Sequence, residues 1–306
     1  MAKLPLVSII TPSYNQAKYL EITMQSVLSQ DYPNIEYLVV DGGSSDGSVE
    51  IIKQHEKNLA WWISEPDHGQ ADAINKGMQR AKGDIIAWLN SDDIYQLGAV
   101  RLAVQELMEN RKLGFVYGDV LTVDGRGKAI KHIRYRDWGL EGLMCFNIIG
   151  QPAVFMRREI LEKSDFLDLS YQYLLDHQLW LRLAAIAPIK YLPRLLASAH
   201  YHLEAKNVAS AENFGEEAYR IVAWMQTYPL LKERFAKIRK KIWAGAHRIN
   251  ARYLLDGGKP LASLKAYWKS LQSYPPIALK EWKRMLFAAL AALGIVNPDL
   301  LIKRWQ

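Results

Sequence analysis

The sequence holds a single cysteine, Cys145, among its 306 residues. This excludes an intramolecular disulfide framework and a Cys-rich zinc site, and it fits a reducing compartment, with the cytoplasm as the default reading. Long hydrophobic runs are missing too. The longest uncharged apolar stretch, 285–296, falls short of the ~20 residues that cross a bilayer as a helix. The first ten residues carry a short apolar run broken by Pro5, without the longer apolar core and cleavage site of a secretion signal. No G-x-G-x-x-G dinucleotide fingerprint and no G-x-x-x-x-G-K-[ST] phosphate loop occurs.

Acidic residues are scarce in one part of the chain only. Residues 1–205 carry 21 basic and 25 acidic side chains, a net charge of −4, whereas residues 206–306 carry 18 and 7, a net charge of +11. The overall +7 therefore belongs to the last third, which also holds five of the ten tryptophans. With half its residues hydrophobic, the chain is long enough to bury one large domain and an appendage. The division predicts a domain over 1–205 and a basic helical region over 206–306.

What is present in the first part is an alternation of strand and helix. Residues 6–10, 36–40 and 85–89 are apolar, β-branched-rich runs of strand length, each followed by a polar turn. Residues 17–29, 47–55 and 70–81 repeat apolar positions at helical spacing. The pattern predicts an α/β fold with a mostly parallel twisted sheet flanked by helices. In such sheets ligands sit beyond the carboxyl ends of the strands. Three segments lie there: Thr11-Pro12-Ser13-Tyr14-Asn15, Asp41-Gly42-Gly43-Ser44-Ser45-Asp46-Gly47 and Asn90-Ser91-Asp92-Asp93.

In the second segment Asp41 stands at a strand tip, the glycines permit close backbone approach, and Ser45 or Asp46 can cap the next helix. Its acid either receives hydrogen bonds from a base or ribose, or serves only a tight turn. In the third, two adjacent carboxylates are costly to enclose without a partner. A divalent cation with hard oxygen ligands offsets that cost, and an Asx-turn capping the next helix is the other use of the pair.

These segments, taken in order with 65–77 (Glu65-Pro66-Asp67-His68-Gly69-Gln70-Ala71-Asp72-Ala73-Ile74-Asn75-Lys76-Gly77) and Ala81-Lys82-Gly83-Asp84, resemble family 2 glycosyltransferases of the A-type fold. The resemblance implies an inverting enzyme with a nucleotide-diphosphate-sugar donor (UDP-, GDP- or dTDP-sugar) and a Mg²⁺ or Mn²⁺ ion. By position it implies that Thr11, Pro12 and Tyr14 line base and ribose, that Asp41 bonds the base, and that Gln70, Asp72 and Asn75 face the ribose and sugar. Asp92 matches the metal-binding acid, with Asp93 beside it, and Asn90 or Ser91 replaces the first acid of the usual element.

Further along, Tyr173-Leu174-Leu175-Asp176-His177-Gln178-Leu179-Trp180-Leu181-Arg182 resembles the family's acid-bearing helix, with Leu175 in place of a Glu. Asp176 is the implied catalytic base, because attack at an anomeric carbon needs the acceptor hydroxyl deprotonated. As a residue it also suits a helix N-cap. His202 falls where relatives close over the diphosphate, which implies a metal ligand, with Lys206 near the phosphates and His200 replacing the usual Arg.

Residues 218–226, 231–255, 260–273 and 276–293 show helical spacing, and 252–275 reads as one helix-turn-helix unit. Basic residues gather at Lys232, Arg234, Lys237, Arg239, Lys240 and Lys241, and again at Lys280, Lys283 and Arg284 beside Trp282. Basic groups with Trp and Leu have the composition of an interfacial helix, and a solvated cap on the catalytic domain is the plainer use. The expected function is sugar transfer to a glycan or lipid-linked acceptor in cell-surface polysaccharide synthesis, in the cytoplasm or peripheral to an anionic membrane. A catalytically silent membrane-associated scaffold of the same fold is the alternative. No nucleic-acid partner is expected, because no such module is visible and the first domain is acidic.

Overall fold

The computed structural model describes residues 4–200 and 211–297. The chain divides into two compact units, one made of residues up to Gly139 together with Ile149–His200, the other of Leu140–Ile148 and the residues after His200. A boundary at 205/206 leaves segment 140–148 with the first domain; it packs instead in the second unit.

The first unit is a mixed sheet with strands in the order β3-β2-β1-β4-β8-β6-β9-β5 and β7 paired to β6. Its elements are β1 (Val7–Ser13), α1 (Ala17–Leu28), β2 (Ile35–Asp41), α2 (Ser48–Gln54), β3 (Trp61–Ser64), α3 (Gln70–Arg80), β4 (Ile85–Trp88), β5 (Asp93–Tyr95), α4 (Ala99–Glu109), β6 (Phe115–Val123) and β7 (Ala129–Ile133). After α5 (Gly139–Met144) come β8 (Val154–Arg157), α6 (Arg158–Lys163), α7 (Leu175–Ile186) and β9 (Ile189–His200).

The half that the alternating pattern predicts is parallel: β1 pairs with β2 and β4, and β2 with β3. Antiparallel pairings enter at β8, which joins β4 to β6. β1 is enclosed along its whole length, as a central strand covered on both faces must be. One cover is α3, which lies so close that a Cβ at Gly77 would sit 2.4 Å from Ile10 Cγ2. The core gathers Ile9, Leu20, Met24, Val39, Val116 and Phe155. On the α3 face, opposite Ile9, Trp88 pairs with Ile10 in register and stacks on Trp180 of α7 with ring centroids 5.1 Å apart.

The second unit is helical: α8 (Ala211–Thr227), α9 (Lys232–Asp256, kinked at Ile238), α10 (Pro260–Ser273), α11 (Pro275–Ala278) and α12 (Trp282–Ala292). Serines let α9 and α10 approach closely: the buried Ser263 and Ser270 hydroxyls donate to the Ala251 and Ala244 carbonyls, each at 2.7 Å. Segment 140–148 runs against α9 at Gly245, where a Cβ would come within 2.2 Å of the Cys145 carbonyl oxygen. Cys145 is itself enclosed there, and burial pushes its thiol up to about 11, away from thiolate chemistry. Among the described residues no helix is long and apolar enough to cross a membrane.

Candidate active site

The register of the parallel strands brings the three sequence segments to one edge. Ser13 pairs with Asp41 and Asp41 with Ser64, while Ile10 pairs with Trp88 two residues before Asn90. The tips of β1, β2 and β4 therefore end side by side, at the place where open α/β sheets bind ligands.

Asp41 organises the second segment. Its Oδ2 accepts from the Gly43 and Ser44 amides at 3.1 and 2.8 Å and from Ser64 Oγ at 2.7 Å, and its Oδ1 accepts from Ser44 Oγ at 2.5 Å. The side chain is wholly enclosed, so it shapes the loop that a base would meet. Asp46 joins two helix starts: it accepts from the Ser48 amide ahead of α2 and from the Ala17 amide of α1. Burial pushes the Asp46 carboxyl up, and the hydrogen bonds from Ser48 and Ala17 outweigh it, holding the group below its ordinary range.

The first two segments and the loop after β3 meet where Tyr14 and Asp67 approach Gly42. Tyr14 is exposed, and Gly42 lies beneath it, where a Cβ would reach 3.3 Å from Tyr14 Cδ2 and 2.6 Å from Asp67 Oδ2. Only a glycine lets both side chains come that close. Thr11 and Pro12 sit in the wall behind, with the Thr11 hydroxyl 3.0 Å from the buried Tyr37 hydroxyl.

Gln70 and Asn75 part company on α3. Gln70 Nε2 donates to Asn90 Oδ1 at 2.9 Å, and Asn90 Nδ2 in turn donates to Gln151 Oε1 at 3.1 Å. Gln151 Nε2 closes the chain on the Trp88 carbonyl at 2.7 Å, tying the β4 tip to the turn before β8. Asn75 points instead at Leu167, and Asp72 accepts from the His68 amide at 3.0 Å with Lys76 at 3.6 Å. Neither Gln151 nor Arg182 was among the sequence-derived site residues. A lone arginine in the apolar run 179–186 was the available signal for the second.

At the third segment Asp92 is half-buried and Asp93 enclosed. Ser91 is buried, and its carbonyl, like that of Asp93, accepts from Thr23 Oγ1, at 2.9 and 2.8 Å. The Asp93 carboxylate receives a long hydrogen bond from Asn90 Nδ2 at 3.3 Å. Burial, reinforced by the neighbouring Asp92, pushes its carboxyl well above the usual range. His200, the last residue of β9, donates from Nδ1 to the Asp92 carbonyl, and its ring lies 5.0 Å from that of Tyr19. His202 and Lys206 lie outside the described residues.

Among the described residues no group of three or more His, Cys, Asp and Glu is arranged to hold a metal. One or two carboxylates completed by phosphate oxygens and water is a ligand set that Mg²⁺ accepts. The Asp92–Asp93 pair supplies carboxylates of that kind and does not make an all-protein cage.

Asp176 lies in the first turn of α7, half-buried, with its Oδ1 accepting from the His177 amide at 2.7 Å. One helical turn later, Trp180 stacks on Trp88 at the end of β4. Asp176 is thus held about 6 Å along the helix axis from a side chain fixed to the β4 tip.

The glycosyl transferase family 2 sequence model matches residues 8–163, just over half of the chain. The chain belongs to glycosyl transferase family 2. Its likeness to known proteins includes 26% identity to a chondroitin synthase of Escherichia coli over 225 residues, which is 72% of this chain and 33% of that protein. Over 108 residues it is 41% identical to the putative teichuronic acid biosynthesis glycosyltransferase TuaG of Bacillus subtilis, covering 34% of this chain and 43% of that one. The chain spans roughly a third of the length of the first relatives it matches. The fold resembles TarS residues 1–349 of S. aureus in complex with UDP-GlcNAc, with a TM-score of 0.62, 17% identity, and coverage of 91% of this chain and 92% of that one. It also resembles the mannosyltransferase PcManGT of Pyrobaculum calidifontis in complex with GDP-Man and Mn²⁺, with a TM-score of 0.56, 20% identity, and coverage of 96% and 88%. The A-type glycosyltransferase fold with a helical C-terminal region is therefore the architecture of this family 2 chain.

Proposed function

We propose that the chain is an inverting, metal-dependent glycosyltransferase that moves a sugar from a nucleotide-diphosphate-sugar to a hydroxyl of a glycan or lipid-linked acceptor, in the synthesis of a cell-surface polysaccharide. The observation that carries this reading is the alignment of the Asp41 turn and the Asn90–Asp92 turn at the tips of β2 and β4, on either side of β1, with Asp176 on the helix stacked against β4. Relatives named for chondroitin and teichuronic acid support the polysaccharide, and folds solved with UDP-GlcNAc or GDP-Man support the donor class.

In this reading the nucleobase lies against Tyr14 over Gly42, and Asp67 borders it. The Asp41 loop presents backbone to the base, and the Gln70–Asn90–Gln151 amides face the ribose and sugar. Asp92, with Asp93 behind it, holds Mg²⁺ or Mn²⁺. The ion, when bound, neutralises charge on the departing diphosphate. Asp176 accepts the acceptor's proton as its hydroxyl attacks opposite the leaving group. The reaction proceeds in the cytoplasm or on the cytoplasmic face of a membrane.

The test is sugar transfer, or slow donor hydrolysis, by wild type, Asp92→Ala and Asp176→Asn, across UDP-, GDP- and dTDP-sugars with Mn²⁺ or a chelator. The reading expects a loss of at least about a hundredfold in each variant. Wild-type rates in either variant remove that residue's role. Inactivity of the wild type with every donor, despite nucleotide binding, favours the silent scaffold.

A further inference from the structure

The exposed surface of α12 combines two features, which α10 shows in shorter form with Leu261 and Trp268 exposed beside Lys265 and Lys269. The first is an apolar stripe. Trp282, Leu286, Leu290 and Leu293 recur at i, i+4, i+8 and i+11, one face of a helix. Trp282, Leu286 and Leu293 are 56%, 53% and 74% exposed, and Ile295 just beyond is 64% exposed. The opposite face is used internally: Ala288 and Ala291 are buried, Met285 packs on the cluster of Ala251, Ala266 and Tyr267, and Arg284 pairs with Asp256. The outward stripe is thus not part of the unit's own core.

The second feature is charge of one sign. Residues 256–297 contain two acids, and both turn inward: Asp256 to Arg284, and Glu281 to Arg248 at 2.7 Å and to the Tyr267 hydroxyl at 2.8 Å. Lys265, Lys269, Lys280 and Lys283 are exposed, and among the described residues they form no ion pair. Lys283 lies over the Trp282 ring at 5.7 Å. The chain continues from α12 into Leu300-Leu301-Ile302-Lys303-Arg304-Trp305, a sequence of the same apolar and basic kind.

The other basic group, at the start of α9, is different. Lys232, Arg234, Lys237, Arg239, Lys240 and Lys241 are exposed, but Phe235 and Ile242 between them are buried, and Leu230 just before them is a lone exposed apolar side chain with no stripe behind it. That face can attract an anionic surface but presents no apolar stripe to insert into it.

We propose that α12 is a membrane-seating helix: Trp282, Leu286, Leu290 and Leu293 enter the headgroup–acyl boundary of an anionic bilayer while Lys280 and Lys283 meet lipid phosphates. An exposed Trp and Leu stripe flanked by lysines is the pattern of helices that lie in an interface, and charge complementarity selects anionic lipid as the occupant. The inference stands apart from the donor reading and holds whether or not the first unit is catalytic.

The experiment is co-sedimentation of the full chain with phosphatidylcholine vesicles and with mixed phosphatidylcholine–phosphatidylglycerol vesicles, at low and high salt. Light scattering of the same samples without lipid gives the oligomeric state. Wild type is expected to bind the mixed vesicles and to leave the neutral ones in solution. Leu286→Glu with Leu293→Glu is expected to lower partitioning at least about tenfold. Lys280→Gln and Lys283→Gln should each lower it about fivefold. Trp282→Ala and Leu293→Ser serve as milder variants, and thermal melting of each confirms folding. No wild-type binding at low salt overturns the proposal. So does binding that the stripe variants leave unchanged but that Lys237→Gln with Lys240→Gln abolishes. A dimer that the stripe variants dissociate, without lipid binding, assigns the face to a second copy instead.

Discussion

Asn75 clasps the backbone of Leu167 at two points: its Nδ2 donates to the Leu167 carbonyl at 2.8 Å, and the Leu167 amide donates to its Oδ1 at 2.9 Å. A side-chain amide is the one uncharged group that can give and take a hydrogen bond in this spacing. It fastens the loop before α7 to α3, whose first residue, Gln70, reaches the β4 tip. The clasp engages both polar atoms of Asn75, the residue for which family resemblance implied a donor contact.

Asn75→Asp is the sharpest probe of that clasp. It keeps the size and the acceptor but loses the donor to the Leu167 carbonyl and sets a carboxylate against it. A destabilisation of about 1–3 kcal/mol is expected, with sugar transfer reduced through misplacement of α7. Urea unfolding gives the first quantity. A variant as stable as wild type that has lost only donor affinity would instead place Asn75 against the sugar.

The same loop is gripped from the other side by Arg182. The buried guanidinium donates to the carbonyls of Ser164, Asp165 and Phe166, the last two at 3.0 and 2.6 Å, and to Gln178 Oε1 at 3.0 Å. Asp165 sits at φ 59°, a strained value for a residue with a Cβ. Arg182→Met should cost about 3 kcal/mol by leaving these carbonyls unpaired, and Arg182→Lys should recover only part of it, since an ammonium lacks the planar fork. Chemical denaturation of both variants checks the order.

Much of the first unit was legible in advance because its signals are local. The runs at 6–10, 36–40 and 85–89 became β1, β2 and β4, and the polar turns after them fell at one edge by the rules of parallel sheets. The placement of side chains at that edge was not legible. Asp41, Thr11 and Asn75 all have groups suited to a ligand, yet each satisfies a partner far along the chain or a turn of its own: Ser64 and Ser44, Tyr37, and Leu167. Pairing across such sequence distances leaves no periodic trace. The placement of 140–148 in the helical unit was hidden for the same reason, since it depends on the close approach that Gly245 allows.

Gly42→Ala tests the proposed seat of the nucleobase. The added Cβ would press on Asp67 Oδ2 at 2.6 Å and on the Tyr14 ring at 3.3 Å, so both side chains must shift. Nucleotide affinity is expected to fall about tenfold, about 1.4 kcal/mol, with little change in thermal stability, because the exposed Tyr14 ring and the half-buried Asp67 carboxylate can move aside. Calorimetric titration with UDP, GDP and dTDP measures it, and unchanged affinity for every nucleotide would move the base elsewhere.

The helical unit should carry an acid sensitivity that traces to His247. Its Nδ1 lies 2.8 Å from the Tyr219 hydroxyl and its ring packs on Trp243 at 5.6 Å. Burial, with the Lys269 charge adding to it, pushes the imidazole down to about 4. Between about 6.5 and 4 the unfolded chain binds a proton that the folded chain does not, so stability is full above this window and falls as the pH drops through it. His247→Gln keeps an acceptor for Tyr219 and cannot titrate. Urea midpoints taken from pH 7 down to about 4 should decline in wild type and decline less in the variant. Equal slopes would mean that the histidine titrates alike in the folded and unfolded chain, and that its enclosure beside Tyr219 and Trp243 does not exclude the proton.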